Sequence, residues 1–190
     1  MSATMTINFG QRAGGKAGGM LAIALFCASC TTMPQKAQNP PDRVAISNLR
    51  YGVVCGPNNA QTICRQTSDI AVTGDGRCIY DKQEVACTWY AYSFDYAPLA
   101  GPVALDCTYN SSVPGDIGNP EGIQFRNSTS TSYQLQLDNT GHLYHSQYSG
   151  WVAGAPDNDI KQACSYKGEK LFDVEFRLHF RPGATPRKDS

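Results

Sequence analysis

The clearest pattern in the chain covers residues 171–180, where Phe172, Val174, Phe176, Leu178 and Phe180 are apolar and Asp173, Glu175, Arg177 and His179 stand between them. A period of two marks a strand with one buried and one solvated face. Tyr133, Leu135 and Leu137 alternate with Gln134, Gln136 and Asp138 in the same way, and Val103, Leu105, Cys107 and Tyr109 form a third set. Residues 85–96 break the rule by being aromatic on both faces, which predicts a central strand covered on both sides. Shorter strands are expected at 45–54, 70–73, 77–80, 142–148 and 163–166. Clusters of Gly, Pro, Asn and Asp at 73–76, 98–102, 114–122, 138–141 and 154–159 separate them as turns. Residues 111–132, heavy in Ser, Thr, Asn and Gly, read as a long loop with at most one weak strand. Beyond residue 30 no dozen residues repeat with helical period. The expected fold is therefore all-β, a β-sandwich ahead of a barrel, with an immunoglobulin-like arrangement as one candidate.

The N-terminal segment follows a different pattern. Residues 1–16 carry Arg12 and Lys16 and no acid, and residues 17–29 are uncharged and centred on an apolar run at 20–26. A basic flank, a short apolar run and small residues after it describe an export signal. The run is too short for a membrane-spanning helix, which needs about 20 apolar residues. It ends Cys27-Ala28-Ser29-Cys30, and here the chain resembles the lipobox of bacterial lipoprotein precursors, with Cys27 standing where that family has a large aliphatic residue. The resemblance is confined to residues 12–32. It implies that Cys30 is diacylated and becomes the mature N-terminus, with residues 1–29 removed. Thr31, rather than Asp, after that cysteine implies the outer membrane rather than the inner. Ordinary signal-peptidase cleavage nearby, giving a soluble exported protein, is the alternative. Residues 30–42, polar and proline-bearing, then read as a flexible tether. Residues 43–180 read as a single β domain and 181–190 as a disordered tail.

Cysteine usage agrees with export. Of eight cysteines, Cys27 and Cys30 belong to the signal, which leaves six: Cys55, Cys64, Cys78, Cys87, Cys107 and Cys164. An even number in an exported domain reads as a disulfide framework. No C-x-x-C spacing supports zinc, thioredoxin-like or haem chemistry. Six cysteines allow 15 connectivities. The equal short spacings favour Cys55–Cys64 and Cys78–Cys87 as opposed positions of hairpins, leaving Cys107–Cys164 as the long-range staple.

Charge and motifs then narrow the function classes. The chain has 16 basic and 16 acidic residues, and every acid lies at or after Asp42. Removing Arg12 and Lys16 leaves 16 − 2 = 14 basic against 16 acidic residues, a net of −2. Scattered, nearly balanced charge leaves no footprint for nucleic acid. The chain has no G-x-S-x-G, H-E-x-x-H, P-loop or dinucleotide-binding glycine pattern. His142 and His145 are three apart, so on a strand they face opposite ways and read as surface or rim residues, as does His179 on the charged face of the last strand. Asp157-Asn158-Asp159 reads as a solvated turn rather than a calcium loop. The remaining feature is a row, Tyr90, Tyr92, Phe94 and Tyr96, on one side of a strand with Cys87 and Trp89 on the other. If the cysteine side faces the core, Tyr90, Tyr92 and Tyr96, extended by Trp151, form an outward binding surface; the competing reading buries both faces in a sandwich. The expected function is that of a lipid-anchored cell-envelope component, not an enzyme, that binds or assembles with another envelope protein and needs no metal or other cofactor. A glycan- or ligand-binding module and an envelope hydrolase with no legible motif are the alternatives.

Overall fold

The computed structural model describes residues 41–55, 62–99, 101–119 and 122–180, together with the backbone of residues 3–7. Eleven strands follow in order: β1 (Ala3–Ile7), β2 (Ile46–Val54), β3 (Ile63–Gln66), β4 (Asp69–Val72), β5 (Gly76–Tyr80), β6 (Gln83–Tyr96), β7 (Val103–Asn119), β8 (Gly122–Leu137), β9 (His142–Gly150), β10 (Asn158–Tyr166) and β11 (Glu169–Phe180). The protein is all-β, in two sheets that do not close into a barrel, and it carries three disulfides. One layer runs β3-β2-β6-β9, with β5 also paired to β6. The other runs β8-β7-β10-β11-β4. Between them lies β1, antiparallel to β9 and parallel to β7, so the hydrogen-bonded path passes from one layer to the other through it.

Period-two alternation decides which side of each strand enters the space between the layers. In β11, Phe172, Val174, Phe176, Leu178 and Phe180 are buried in the common core, and the residues between them are not. Their register partners on β10 include Ile160 and Cys164, which share that face. Leu135 and Leu137 of β8 pair with Leu105 and Val103 of β7 on the same side. Two of the tight connections are two-residue turns with φ positive at both positions, Asp81-Lys82 (46° and 65°) and Lys167-Gly168 (49° and 81°). Such turns match the right-handed twist of the strands they join.

Three sequence expectations change. Residues 111–132 are not a long loop, because β7 continues to Asn119 and β8 begins at Gly122, forming a long hairpin. Its distal half has no apolar face to announce it, since residues 124–127 and 129–130 of β8 are exposed on both sides. Backbone pairing, not hydrophobic alternation, defines it. Strand β3 was not expected, and β10 begins at Asn158 rather than near 163. Strand β1 belongs to the segment read as an export signal. The rest of that segment, Cys30, most of the tether and residues 181–190 lie outside the described residues.

The disulfides pair as the spacing favours: Cys55 with Cys64, Cys78 with Cys87, and Cys107 with Cys164. The register refines one detail. Cys78 is opposite Val85 and Cys87 is opposite Gly76, so that bridge crosses the β5–β6 hairpin diagonally. Cys107 and Cys164 are directly opposed on β7 and β10, with Cα atoms 4.1 Å apart and both side chains buried. This third bridge closes 57 residues, against 9 for each of the others. Loop entropy in the unfolded chain then makes it worth about 4 kcal/mol and each short bridge about 2.5 kcal/mol. In denaturant melts, replacing both Cys107 and Cys164 by Ala should therefore lower stability more than replacing both Cys55 and Cys64. The reverse order would remove chain entropy as the main effect.

Candidate functional site

Tyr90, Tyr92 and Tyr96 do not form an outward surface. All three are buried with Phe94 in the space between the layers, and β6 presents the Trp89 face away from it. Register explains the direction. Tyr92 is opposite Tyr51 on β2 and His145 on β9, and all of these face β11 across the core. Tyr90 lies 4.9 Å from Phe176, and Tyr92 and Phe94 lie 5.4 and 5.0 Å from Phe172, centroid to centroid. The Tyr96 hydroxyl donates to Asp138 at the end of β8 (3.0 Å), and that phenol in turn accepts from the Asp138 amide. Trp151 is half-buried against the same core and does not extend an exposed surface. On the outer face of β6, Trp89 contacts Tyr148 (5.0 Å) in a small cluster with the Cys78–Cys87 bridge, so this strand is covered on both sides.

The layers also enclose a polar cluster. Tyr133 donates to Gln162 (2.9 Å), Gln162 donates to Gln147 (2.6 Å), and the Tyr92 and Tyr133 hydroxyls lie 3.3 Å apart. His145 is not a rim residue. It is buried between the rings of Tyr92 (5.0 Å) and Tyr133 (6.0 Å, nearly parallel), because its register partner Tyr92 faces the core. His142, three residues earlier, is exposed on the other face and pairs with Asp95. Desolvation pushes the His145 imidazole down to about 4, so it is neutral in the fold. The same burial raises the phenols of Tyr90, Tyr92 and Tyr109, and moves Tyr133 up to about 12. His145 Nε2, Gln147 Nε2 and the Tyr90 hydroxyl have no hydrogen-bond partner among the described residues. Isolated polar residues inside alternating strands do not reveal from sequence that they meet.

The accessible chemistry lies at one end of the molecule, where the β7–β8 arm meets the β5–β6 hairpin. Asp116 on β7 accepts from the Tyr80 hydroxyl (2.8 Å) and from the Asn127 amide (2.9 Å), tying three strands together. Asn158, read as part of a solvated turn, is buried. Its side-chain oxygen accepts from Ser111 Oγ (2.8 Å), Ser112 Oγ (3.1 Å) and the Val113 amide (3.2 Å), fixing the base of the arm. The exposed large apolar residues, Ile79 and Phe125, flank this junction. Ile79 precedes Tyr80, and Phe125 is the register partner of Ile117, next to Asp116. Strand β8 is paired only to β7 among the described strands, which leaves its other edge open along a Ser- and Thr-rich stretch. Elsewhere several charges pair with one another. His179 bridges Asp157 (2.8 Å) and Asp69 (3.4 Å), which holds its pKa above the ordinary value. A shallow groove of about 250 Å³ outside β10 and β11 has its charged rim in the pairs Lys161–Glu175 and Lys170–Asp173.

No family model and no curated protein matches the chain. Among solved structures, 71% of the chain aligns with an alkylpurine DNA glycosylase from Pseudomonas fluorescens bound to DNA containing an abasic site analogue, at 10% identity and a TM-score of 0.32. The alignment spans 30% of that glycosylase chain. The N-terminal domain of PorA aligns over 69% of this chain and 96% of its own, at 9% identity and a TM-score of 0.31. At these scores neither likeness carries an argument about function.

Two outcomes follow from the interior. A neutral buried His145 gains its proton on unfolding wherever the pH lies between about 4 and the ordinary histidine value. Over that window the unfolded state binds more protons, so stability falls as pH falls, by up to about 3 kcal/mol. His145→Phe should flatten this part of the stability curve, and an unchanged slope would place the acid sensitivity elsewhere. Tyr92→Ala should cost about 3–5 kcal/mol by opening a cavity against Phe172 and His145. A loss under 1 kcal/mol in the same denaturant melts would contradict its place in the core.

Proposed function

We propose that this chain is an exported lipoprotein, anchored through Cys30, whose β domain serves as a binding or assembly component of the cell envelope. The observation that carries the reading is the β8 edge, paired only to β7 among the described strands, with exposed Phe125 on it and exposed Ile79 on β5, whose neighbour Tyr80 bonds Asp116 of β7. Unpaired N–H and C=O groups along an edge strand are a template for a partner's backbone, and exposed apolar side chains beside them add contact area and specificity. The Asn158 and Asp116 hydrogen bonds hold that edge in place before any partner arrives, which reduces the ordering cost of association. Three disulfides support folding in an oxidising compartment. The signal-like residues 12–32 support anchoring, with Thr31 favouring the outer membrane.

Binding is favoured over catalysis because the one cluster of polar and titratable side chains in the interior, His145 with the tyrosines around it, is sealed between the layers. The exposed histidines His142 and His179 sit in surface ion pairs outside any deep cavity among the described residues. A glycan platform built on Tyr90, Tyr92 and Tyr96 has no accessible ring faces, so no specific observation favours that reading.

The test uses the full chain produced in its cells. Protein extracted from membranes should have an intact mass that begins at Cys30 and carries acyl groups; an unmodified chain would rule out the anchor. Phe125→Ser and Ile79→Ser should each abolish in-cell crosslinks to a reproducible envelope partner. Stability should stay within about 0.5 kcal/mol of the parent, as expected at exposed positions. Crosslinks that persist in both variants would remove this edge as the interface.

A further inference from the structure

The three disulfides differ in what surrounds their sulfurs. Cys78, Cys87, Cys107 and Cys164 are each at most 3% exposed, so a thiol cannot approach those two bridges in the folded domain. Cys55 and Cys64 are both exposed, one just beyond the end of β2 and the other on β3. Thiol–disulfide exchange begins with attack of a thiolate on a sulfur, so access decides which bridge reacts. The exposed bridge also closes a lightly held element. Among the described strands β3 pairs only with β2, at Gly52–Gln66, Val53–Arg65 and Val54–Ile63, with an irregularity between the last two. Of its four side chains only Ile63 is buried, in a small cluster with Val54 and Ala91 against which Trp89 and Tyr144 pack. One further hydrogen bond runs from the Cys55 amide to the Thr62 carbonyl (3.2 Å). This cluster is separate from the main core, so β3 can part from β2 while the β6–β11 aromatic contact stays in place.

We propose that Cys55–Cys64 is a thiol–disulfide exchange site whose reduction by a dithiol frees β3 from β2 and withdraws Ile63 from Ala91, Trp89 and Tyr144. The thiolate of the dithiol attacks one sulfur of the bridge. A mixed disulfide forms, and the other cysteine leaves as a thiolate that takes up a proton. The second thiol of the dithiol, after losing its proton, displaces the remaining cysteine and closes a disulfide within the reagent. Two electrons and two protons thus pass to Cys55 and Cys64, and the dithiol is oxidised to the same extent. Without the bridge, β3 is held by its three register pairs and one apolar side chain, the composition of a segment that opens locally. Cys78–Cys87 and Cys107–Cys164 stay closed, so reduction acts on one edge of the β3-β2-β6-β9 layer and not on the fold as a whole. The site is in the opposite layer from the β8 edge and needs no lipid anchor.

The experiment uses the full chain purified from its cells, with free thiols first blocked by one alkylating reagent. The protein is then treated with dithiothreitol in native buffer and quenched with an isotopically distinct reagent. Peptide mass mapping should show Cys55 and Cys64 labelled about tenfold faster, or more, than the other four cysteines, and the difference should vanish in denaturant. Hydrogen exchange at residues 63–66 should rise about tenfold once that bridge is open, while residues 87–95 of β6 keep their protection. Labelling of a buried bridge as fast as Cys55 and Cys64 in native buffer would overturn the exchange site. Unchanged exchange at residues 63–66 after reduction would overturn the opening of β3. A double variant, Cys55→Ser with Cys64→Ser, should show the fast exchange without any dithiothreitol. Cooperative loss of the whole fold in that variant would overturn a local switch, because the bridge would then support the entire domain.

Discussion

The packing of the β6 aromatic row against the phenylalanines of β11 is the contact on which the rest of the architecture depends. Tyr90, Tyr92 and Phe94 meet Phe176 and Phe172 at centroid distances of 4.9 to 5.4 Å, in tilted arrangements favoured by aromatic quadrupoles. Because β6 and β11 are interior strands of opposite layers, this contact fixes which side of each faces the core. A strand that pairs with β6 has no freedom to slip by one residue, since a slip would turn its buried set outward. His145 is buried for this reason and not for any property of its own. It is opposite Tyr92, and Tyr92 faces the core.

That constraint also accounts for the polar interior. Phenols on β6 and β8 bring hydroxyl groups between the layers, and Gln147 and Gln162 supply partners for some of them. Buried polar groups contribute specificity only to the extent that they are satisfied, and a neutral imidazole without a partner at Nε2 is costly to protonate there. The cluster ties acid sensitivity to the integrity of the sandwich. The accessible end, by contrast, is held by hydrogen bonds to Asn158 and Asp116 rather than by apolar burial.

Among the described strands β8 pairs only with β7, whereas the facing edges of β7 and β9 are joined through β1. The long disulfide Cys107–Cys164 joins β7 to β10 near the start of their ladder, which continues to the Ser111–Ile160 pair before β7 reaches β1.

From the sequence alone, alternation at residues 103–109, 133–137 and 171–180 determined which side chains are buried, because a period of two leaves a half-polar strand one stable orientation. Cysteine spacing likewise favoured the pairing, since residues nine apart on adjacent antiparallel strands come within bridging distance. The direction of the β6 tyrosine row was not legible. Both of its faces are aromatic, so local pattern gives two answers, and only the position of β11 selects one. Nor was the distal half of the β7–β8 arm legible, because its β8 side is exposed on both faces and its β7 side buries only Ile117 and two glycines, without alternation. The β1 pairing, His145 and the Asn158 clamp each join residues distant in sequence. Their proximity comes from strand order, which the tertiary structure decides.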